Sequence, residues 1–366
     1  MSLRVGRAPS GPGSQRSSRR ERPLRILHAP ADVGGNAYGL SRAERRLGLH
    51  SDVAVVAAGP YGYEADIRFD LDGAPRWRRL AARASLVRAA LSSYDVIHFN
   101  FGQPLIPLWL HGHVLNELPL LKRAGKTLLV TFQGCDVRPV ECCFCTYEHC
   151  RRENRYRAPN AARFLRYADR VFHLNPDLRK WLPGSSFLPY AHVDLRLLVP
   201  DQTSPADGED KREIVVAHAP TSRDVKGTAH VLGAIEQLRS EGVAVSLDLI
   251  ENVPHGEVLR RLRNADLVVD QLLIGWYGGI AVEAMALGKP VLCYVREDSP
   301  ADNPFGAELP VVRVSPATLA PELRMLVSEP ERVSSLGRAS RAFVERHHDP
   351  DSIVRQVLSG LVALPR

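Results

Sequence analysis

Short β-branched and apolar runs alternate with longer amphipathic segments along almost the whole chain. Runs at Arg25–Pro30, Asp52–Ala57, Val96–Phe99, Thr127–Phe132, Arg170–Leu174 and Phe187–Pro189 read as strands. Their alternation with helical segments implies a parallel sheet covered on both faces. Helical patterns fall between them, first through Leu40, Ala43 and Leu47, then across residues 76–91. A polar stretch, Pro200–Arg212, interrupts the pattern. The alternation then restarts as strand Glu213–His218, helix Ala229–Glu241, strand Val245–Ile250, helix His255–Asn264, strand Leu267–Asp270, a glycine turn, a short helix and strand Val291–Val295. Residues 331–364 are largely helical with a break at His347–Pro350. Two successive α/β domains with parallel sheets and a ligand cleft between them are the expected architecture.

The boundaries follow from composition. Residues 1–22, rich in Gly, Pro, Ser and Arg, form a basic tail expected to be disordered; 23–199 make the first domain, 200–212 the linker and 213–345 the second. Residues 346–366 are expected to supply a C-terminal helix free to pack back on the first domain. At 366 residues, 45% hydrophobic and 24% charged, the chain has an ordinary globular composition. No apolar run approaches the roughly 18 residues that span a bilayer, and no apolar signal core is evident, so a cytoplasmic protein is expected.

Lys and Arg exceed Asp and Glu by 48 to 41, a net +7 that suits an anionic ligand or membrane surface. Nucleic acid is a poor fit, because basic and acidic residues are interspersed and no nucleic-acid motif occurs. The helix over 76–91 carries Arg76, Arg78, Arg79, Arg83 and Arg88 around Leu80, Ala84 and Val87. Two readings stay open for it, a solvated helix packing one face on the sheet and a peripheral membrane contact.

Candidate chemistry concentrates in Asp266–Pro290. There Gly275, Gly278 and Gly279 separate a strand from a helix, and Glu283 lies in that helix's first turn. Backbone N–H groups at such a start can bind an anion, and glycines let it approach closely. A plain βα turn with a dipole-favoured acid is the alternative. A second turn, HAPTSRDVKGT at 218–228, offers Arg223 and Lys226 beside another helix start. Together the two turns predict a diphosphate site, since charge-assisted hydrogen bonds are about twice as strong as neutral ones. Gly34 and Gly35 mark a third strand-to-helix turn, without the spacing of a dinucleotide fingerprint.

In order and spacing, KGTAHVLGAIEQL, NVPHGEVLRRLRNADLVV and GGIAVEAMALGKPVLCY resemble the second domain of retaining nucleotide-sugar glycosyltransferases of family 4, which have the GT-B fold. DVIHFNF at Asp95–Phe101 and VTFQGCDVR at Val130–Arg138 extend the resemblance to the first domain. It implies an α/β fold of two Rossmann-like, doubly wound parallel-sheet domains facing a central cleft, an acceptor domain first and a donor domain second. It implies transfer of a sugar from a nucleotide diphosphate sugar to an acceptor hydroxyl, with retention and without an essential metal. Arg223 and Lys226 would hold the diphosphate; the backbone of Gly278, Gly279, Ile280 and Ala281 would face phosphate and sugar. Glu283 would bind the ribose, and Gly34 and Gly35 would close on the donor. Asn100, Gln133, Asp136 and Arg138 are candidate sugar or acceptor contacts, the acceptor being a glycan, glycolipid or small metabolite.

Three positions depart from the family pattern. Gly275 stands where a sugar-contacting glutamate is usual, Thr221 where a basic residue precedes the lysine, and Gln133 where a histidine is common. No carboxylate pair with hydrolase spacing is identifiable. The competing functions are a nucleotide-sugar epimerase on the same scaffold and a non-catalytic zinc-bearing binding protein.

Five of the six cysteines lie between Cys135 and Cys150. Four of them, Cys135, Cys142, Cys145 and Cys150, could make a tetrahedral structural zinc site in a loop over 135–150. Reduced packing cysteines and a redox role stay open beside it.

Overall fold

The computed structural model describes residues 22–57, 62–69, 71, 73–110, 113–142, 148–200, 213–297 and 302–361. The first half contains strands β1 (Arg25–Ala29), β2 (His50–Val55), β3 (Ile67–Arg68), β4 (Val96–Asn100), β5 (Leu108–Leu110), β6 (His113–Leu115), β7 (Thr127–Phe132), β8 (Arg170–His173) and β9 (Ser186–Phe187). Helices α1 (Asn36–Arg46), α2 (Arg76–Ser93), α3 (Leu118–Arg123) and α4 (Glu148–Tyr167) intervene. Seven of these strands form one parallel sheet in the order β3-β2-β1-β4-β7-β8-β9, and β5 and β6 pair as a separate antiparallel hairpin.

The second half holds β10 (Ile214–His218), α5 (Arg223–Lys226), α6 (Thr228–Ser240), β11 (Val245–Leu249), α7 (His255–Asn264), β12 (Leu267–Val269), α8 (Gly279–Ala286), β13 (Val291–Cys293), β14 (Val312–Arg313), α9 (Leu319–Ser328), α10 (Pro330–His347) and α11 (Pro350–Leu358). Its five strands, all parallel, run β11-β10-β12-β13-β14. Each sheet therefore reverses its strand order beside its first strand, β1 in one and β10 in the other. Open α/β sheets bind ligands at such switch points, outside the carboxyl ends of the strands.

Successive side chains on a strand face opposite ways, so each sheet has two cores. Leu27, Ala29, Ile97, Phe99 and Val130 pack with Leu86, Val87 and Phe164 on one face of the first sheet. On the other, Ile26, Val96, Leu129 and Phe172 pack with Leu40 and Ala43 of α1 and with Ile353, Val354, Val357 and Leu358 of α11. Thus the last helix of the chain completes the first sheet's core. The break before it is a cap: Asp349 accepts a hydrogen bond from the Ser352 N–H at 3.0 Å, and Pro350 occupies the first helical position.

Helix α2 differs from its expected packing. Of the stripe Leu80, Ala84 and Val87, only Val87 is buried; the buried face is Leu86, Val87 and Ala90. The sheet reaches only the helix's C-terminal half. The expected tail and linker lie outside the described residues apart from Arg22 and Pro200.

Candidate active site

The cleft is built from turns at the carboxyl ends of β10 and β12. His218, the last residue of β10, is fully buried and places Nδ1 2.8 Å from the Val269 carbonyl and Nε2 2.9 Å from the Thr228 hydroxyl. A carbonyl can only accept, so Nδ1 carries the proton and Nε2 accepts from Thr228. Removal from water holds this imidazole below its ordinary pKa, in keeping with the neutral tautomer. Through it, β12 and the start of α6 are fixed relative to each other.

That register brings Lys226 to Asp270. Lys226 Nζ lies 2.6 Å from Asp270 Oδ1, with the carboxylate fully buried and the ammonium mostly so. Oδ2 of the same carboxylate accepts from the Gly278 N–H at 2.5 Å. A methyl group on Gly278 would stand 3.0 Å from Lys226 Nζ. The Gly275–Gly279 turn and the lysine of the 218–228 turn thus form one site, with Asp270 beneath both. Asp270 was missed by sequence reasoning; its one signal is a polar residue closing an apolar strand.

The other expected donor contacts distribute unevenly. Ala281 N–H donates within the turn to the Gly278 carbonyl at 3.1 Å, and Ile280 is half-buried. Arg223 faces away, pairing in a fork with Glu251 at 2.8 and 2.5 Å, its side chain 57% exposed. Gly275, at φ +88°, sits against Arg296, whose Cβ and Nε lie 3.0 and 3.3 Å from where a Cβ on the glycine would be. The guanidinium therefore fills the space beside the position where the family pattern carries a carboxylate. Arg296 also comes within 3.9 Å of Asp177, which holds Arg138 through two hydrogen bonds of 2.8 and 2.9 Å.

Glu283, the fifth residue of α8 and so beyond the first turn where it was expected, is buried and bracketed by two histidines that the sequence did not single out. Its Oε1 lies 2.7 Å from His255 Nε2 and 3.3 Å from His192 Nε2. Burial alone would raise its pKa; hydrogen bonds from His192 and His255 overcome that and bring it down to about 2. His255 moves the opposite way, raised against its own desolvation by the hydrogen bond and charge of Glu283. His192 arrives from the segment after β9, and a Cβ on Gly279 would meet its ring at 3.3 Å.

Gly34 and Gly35 complete the enclosure from the first domain. Both have positive φ, +68° and +72°, and Gly35 opens α1. A Cβ on Gly35 would stand 3.1 Å from the Tyr63 ring and 3.7 Å from His192 Cβ. Tyr63 in turn lies 4.9 Å, ring to ring, from His255. A continuous set of contacts thus runs from the Gly34–Gly35 turn through Tyr63 and His255 to Glu283.

On the first sheet, Asn100 is buried at the end of β4, donates to the His98 carbonyl at 3.1 Å and leaves Oδ1 without a partner; Gln133 Nε2, also buried, has none. Asp136 closes the turn after β7 by accepting from the Gln133 and Gly134 N–H groups, and burial pushes its pKa up to about 6. Of the cysteines, Cys135 is half-buried, Cys142 exposed and Cys150 buried. Cys145 lies outside the described residues. Among the described residues no group of three or more His, Cys, Asp or Glu side chains could hold a metal ion.

No family model matches the sequence, and no curated protein matches it. Solved structures do share its architecture. The sucrose-phosphate synthase of Thermosynechococcus elongatus superposes with a TM-score of 0.60 at 18% identity, covering 92% of this chain and 97% of its own. HepE of Anabaena, solved in complex with UDP-glucose, gives 0.59 at 14% identity, with 92% and 99% covered. A putative UDP-N-acetylglucosamine 2-epimerase from Listeria monocytogenes gives 0.54 at 14%, with 93% and 96% covered. The protein has the GT-B fold, two parallel-sheet α/β domains across a cleft. A sucrose-phosphate synthase and a putative epimerase both appear among the similar structures, so the fold alone does not decide the reaction.

Proposed function

We propose that this protein is a glycosyltransferase that moves a sugar from a nucleotide diphosphate sugar to an acceptor hydroxyl. The observation that carries the reading is the convergence of the Lys226 ammonium and the Gly278 N–H on the Asp270 carboxylate at the start of α8. Breaking an anomeric C–O bond builds negative charge on the departing diphosphate. A preorganised cation and backbone N–H groups stabilise that charge in the transition state more than in the ground state. Asp270 occupies both groups in the free protein, so an incoming phosphate replaces a carboxylate as their partner.

Glu283, kept ionised by His192 and His255, would accept hydrogen bonds from the ribose hydroxyls. Arg223 would reach a phosphate only on leaving Glu251. On the first domain, the unpartnered Asn100 Oδ1 and Gln133 Nε2 offer an acceptor and a donor to a hydroxylated substrate, with Asp136 and Arg138 shaping their turn. Transfer with retention, in the manner of family 4 and without an essential metal, is what the sequence resemblance implies for this site. A structural zinc on Cys135, Cys142, Cys145 and Cys150 would stand outside the transfer chemistry. The test is incubation with a panel of nucleotide sugars, following release of the nucleoside diphosphate with and without acceptors. No release from any donor counts against the reading.

A second reading, nucleotide-sugar epimerisation, draws on one observation: Gly275 and Arg296 leave no carboxylate at the position where the family pattern has its sugar contact. Product analysis with donor alone separates the two, since an epimerase isomerises its nucleotide sugar without any acceptor.

A further inference from the structure

The first two turns of α2 stand clear of the body of the protein. Every residue from Arg76 to Ala81 is exposed, and the helix's buried positions, Leu86, Val87 and Ala90, all lie beyond them. Trp77 is 69% exposed and Leu80 51%, large apolar side chains offered to solvent within one turn of each other. At roughly 100° per residue, Trp77, Leu80, Ala81 and Ala84 share one side of the helix; it adjoins the buried Val87 further along, and stays exposed in the first half because the sheet covers only the C-terminal half. Arg76 and Arg78 flank this stripe on its two edges.

The charge of the same helix is one-sided. Its eighteen residues include five arginines and no acid. Arg83 turns inward, donating to the Leu105 carbonyl at 2.6 Å. By contrast, among the described residues Arg76, Arg78, Arg79 and Arg88 make no ion pair or side-chain hydrogen bond. Most arginines elsewhere on this surface are paired, for example Arg45 with Asp66, Arg196 with Asp194 and Arg324 with Glu241.

We infer that the N-terminal half of α2 is a docking surface for an anionic lipid bilayer. The indole of Trp77 and the side chain of Leu80 would sit at the headgroup–acyl boundary, with Arg76, Arg78 and Arg79 on lipid phosphates. An aromatic ring flanked by cations suits an interface that is apolar on one side and negatively charged on the other. Such docking would hold the enzyme beside an acceptor carried on a lipid, though the contact itself does not depend on the proposed reaction.

Co-sedimentation of the full chain with phosphatidylcholine vesicles, with and without phosphatidylglycerol, tests this. Binding should require phosphatidylglycerol and weaken as salt is raised. Trp77→Ala with Leu80→Ala should lower the partition coefficient by about tenfold or more. Arg76→Gln with Arg78→Gln and Arg79→Gln should lower it by roughly fivefold per arginine. Because these side chains are exposed, both variants should keep the parent's melting temperature and its affinity for nucleoside diphosphate. Equal binding to the two kinds of vesicle, or anionic binding undiminished in both variants, overturns the inference. So does capture of polyglutamate by a protein that ignores both vesicles, which would assign the face to an acidic polypeptide.

Discussion

Lys226 and Asp270, 44 residues apart, meet at 2.6 Å across the first glycine turn of the second domain, and the same carboxylate accepts from the Gly278 N–H. The cation and the amide that would receive a diphosphate are thus held in place, in the free protein, by an internal anion. A buried ion pair with both partners satisfied is a means of positioning more than a source of stability.

Asp270→Asn removes the competing charge while keeping an oxygen for the Gly278 N–H. Affinity for nucleoside diphosphate, measured by titration calorimetry, should rise, and the unliganded protein should melt at a lower temperature because Lys226 loses its partner. Affinity that falls with the substitution would mean that Asp270 chiefly aims Lys226 rather than competing with phosphate.

The Glu283 cluster makes a pH prediction of definite sign. With its pKa at about 2 instead of 4.5, this carboxyl favours the folded state above pH 4.5, and that contribution is lost as pH falls toward 2. A shift of this size corresponds to at most about 3 kcal/mol. His255, raised above its ordinary value, contributes below that value and loses its contribution as pH rises through its folded pKa. Urea midpoints at pH 3, 5.5 and 9 should peak at the middle value. In Glu283→Gln the fall between pH 5.5 and 3 should shrink.

Restoring a carboxylate at Gly275 should not restore a family-like site. The backbone there has φ +88°, and a Cβ would press on Arg296 at 3.0 Å. Gly275→Glu should cost about 1–3 kcal/mol of stability from the backbone alone, read as a lower urea midpoint, and should not raise the transfer rate. Adding Arg296→Ala should recover part of the loss. A stable and faster single variant would contradict this account of the turn.

Much of this was legible in the sequence. Short, largely apolar runs marked the main strands of both sheets, and Gly34–Gly35 and Gly278–Gly279 marked strand-to-helix turns at the cleft. The joining of Lys226 to Gly278 was also expected, because both sit at carboxyl ends of strands in one sheet. What was not legible depends on contacts over long separations. His192 and His255 reach Glu283 from 91 and 28 residues away, and neither lies in a pattern that distinguishes it from other histidines. Leu80 misled for a related reason: helical periodicity gives a stripe, but only the sheet's extent decides how much of that stripe is covered. Arg223 carried a suitable charge, yet its pairing with Glu251 depends on where β11 ends.

Whether Lys226 and Gly278 hold a diphosphate is decided by titration calorimetry of the parent and of Lys226→Ala against UDP, GDP, ADP and dTDP. The parent should bind at least one of them, and the variant should bind that nucleotide at least tenfold more weakly, with a fall in transfer rate of about 100- to 1,000-fold. A parent that binds none of the four, or a variant that binds as well as the parent, would contradict the assignment of Lys226 and Gly278 to the diphosphate.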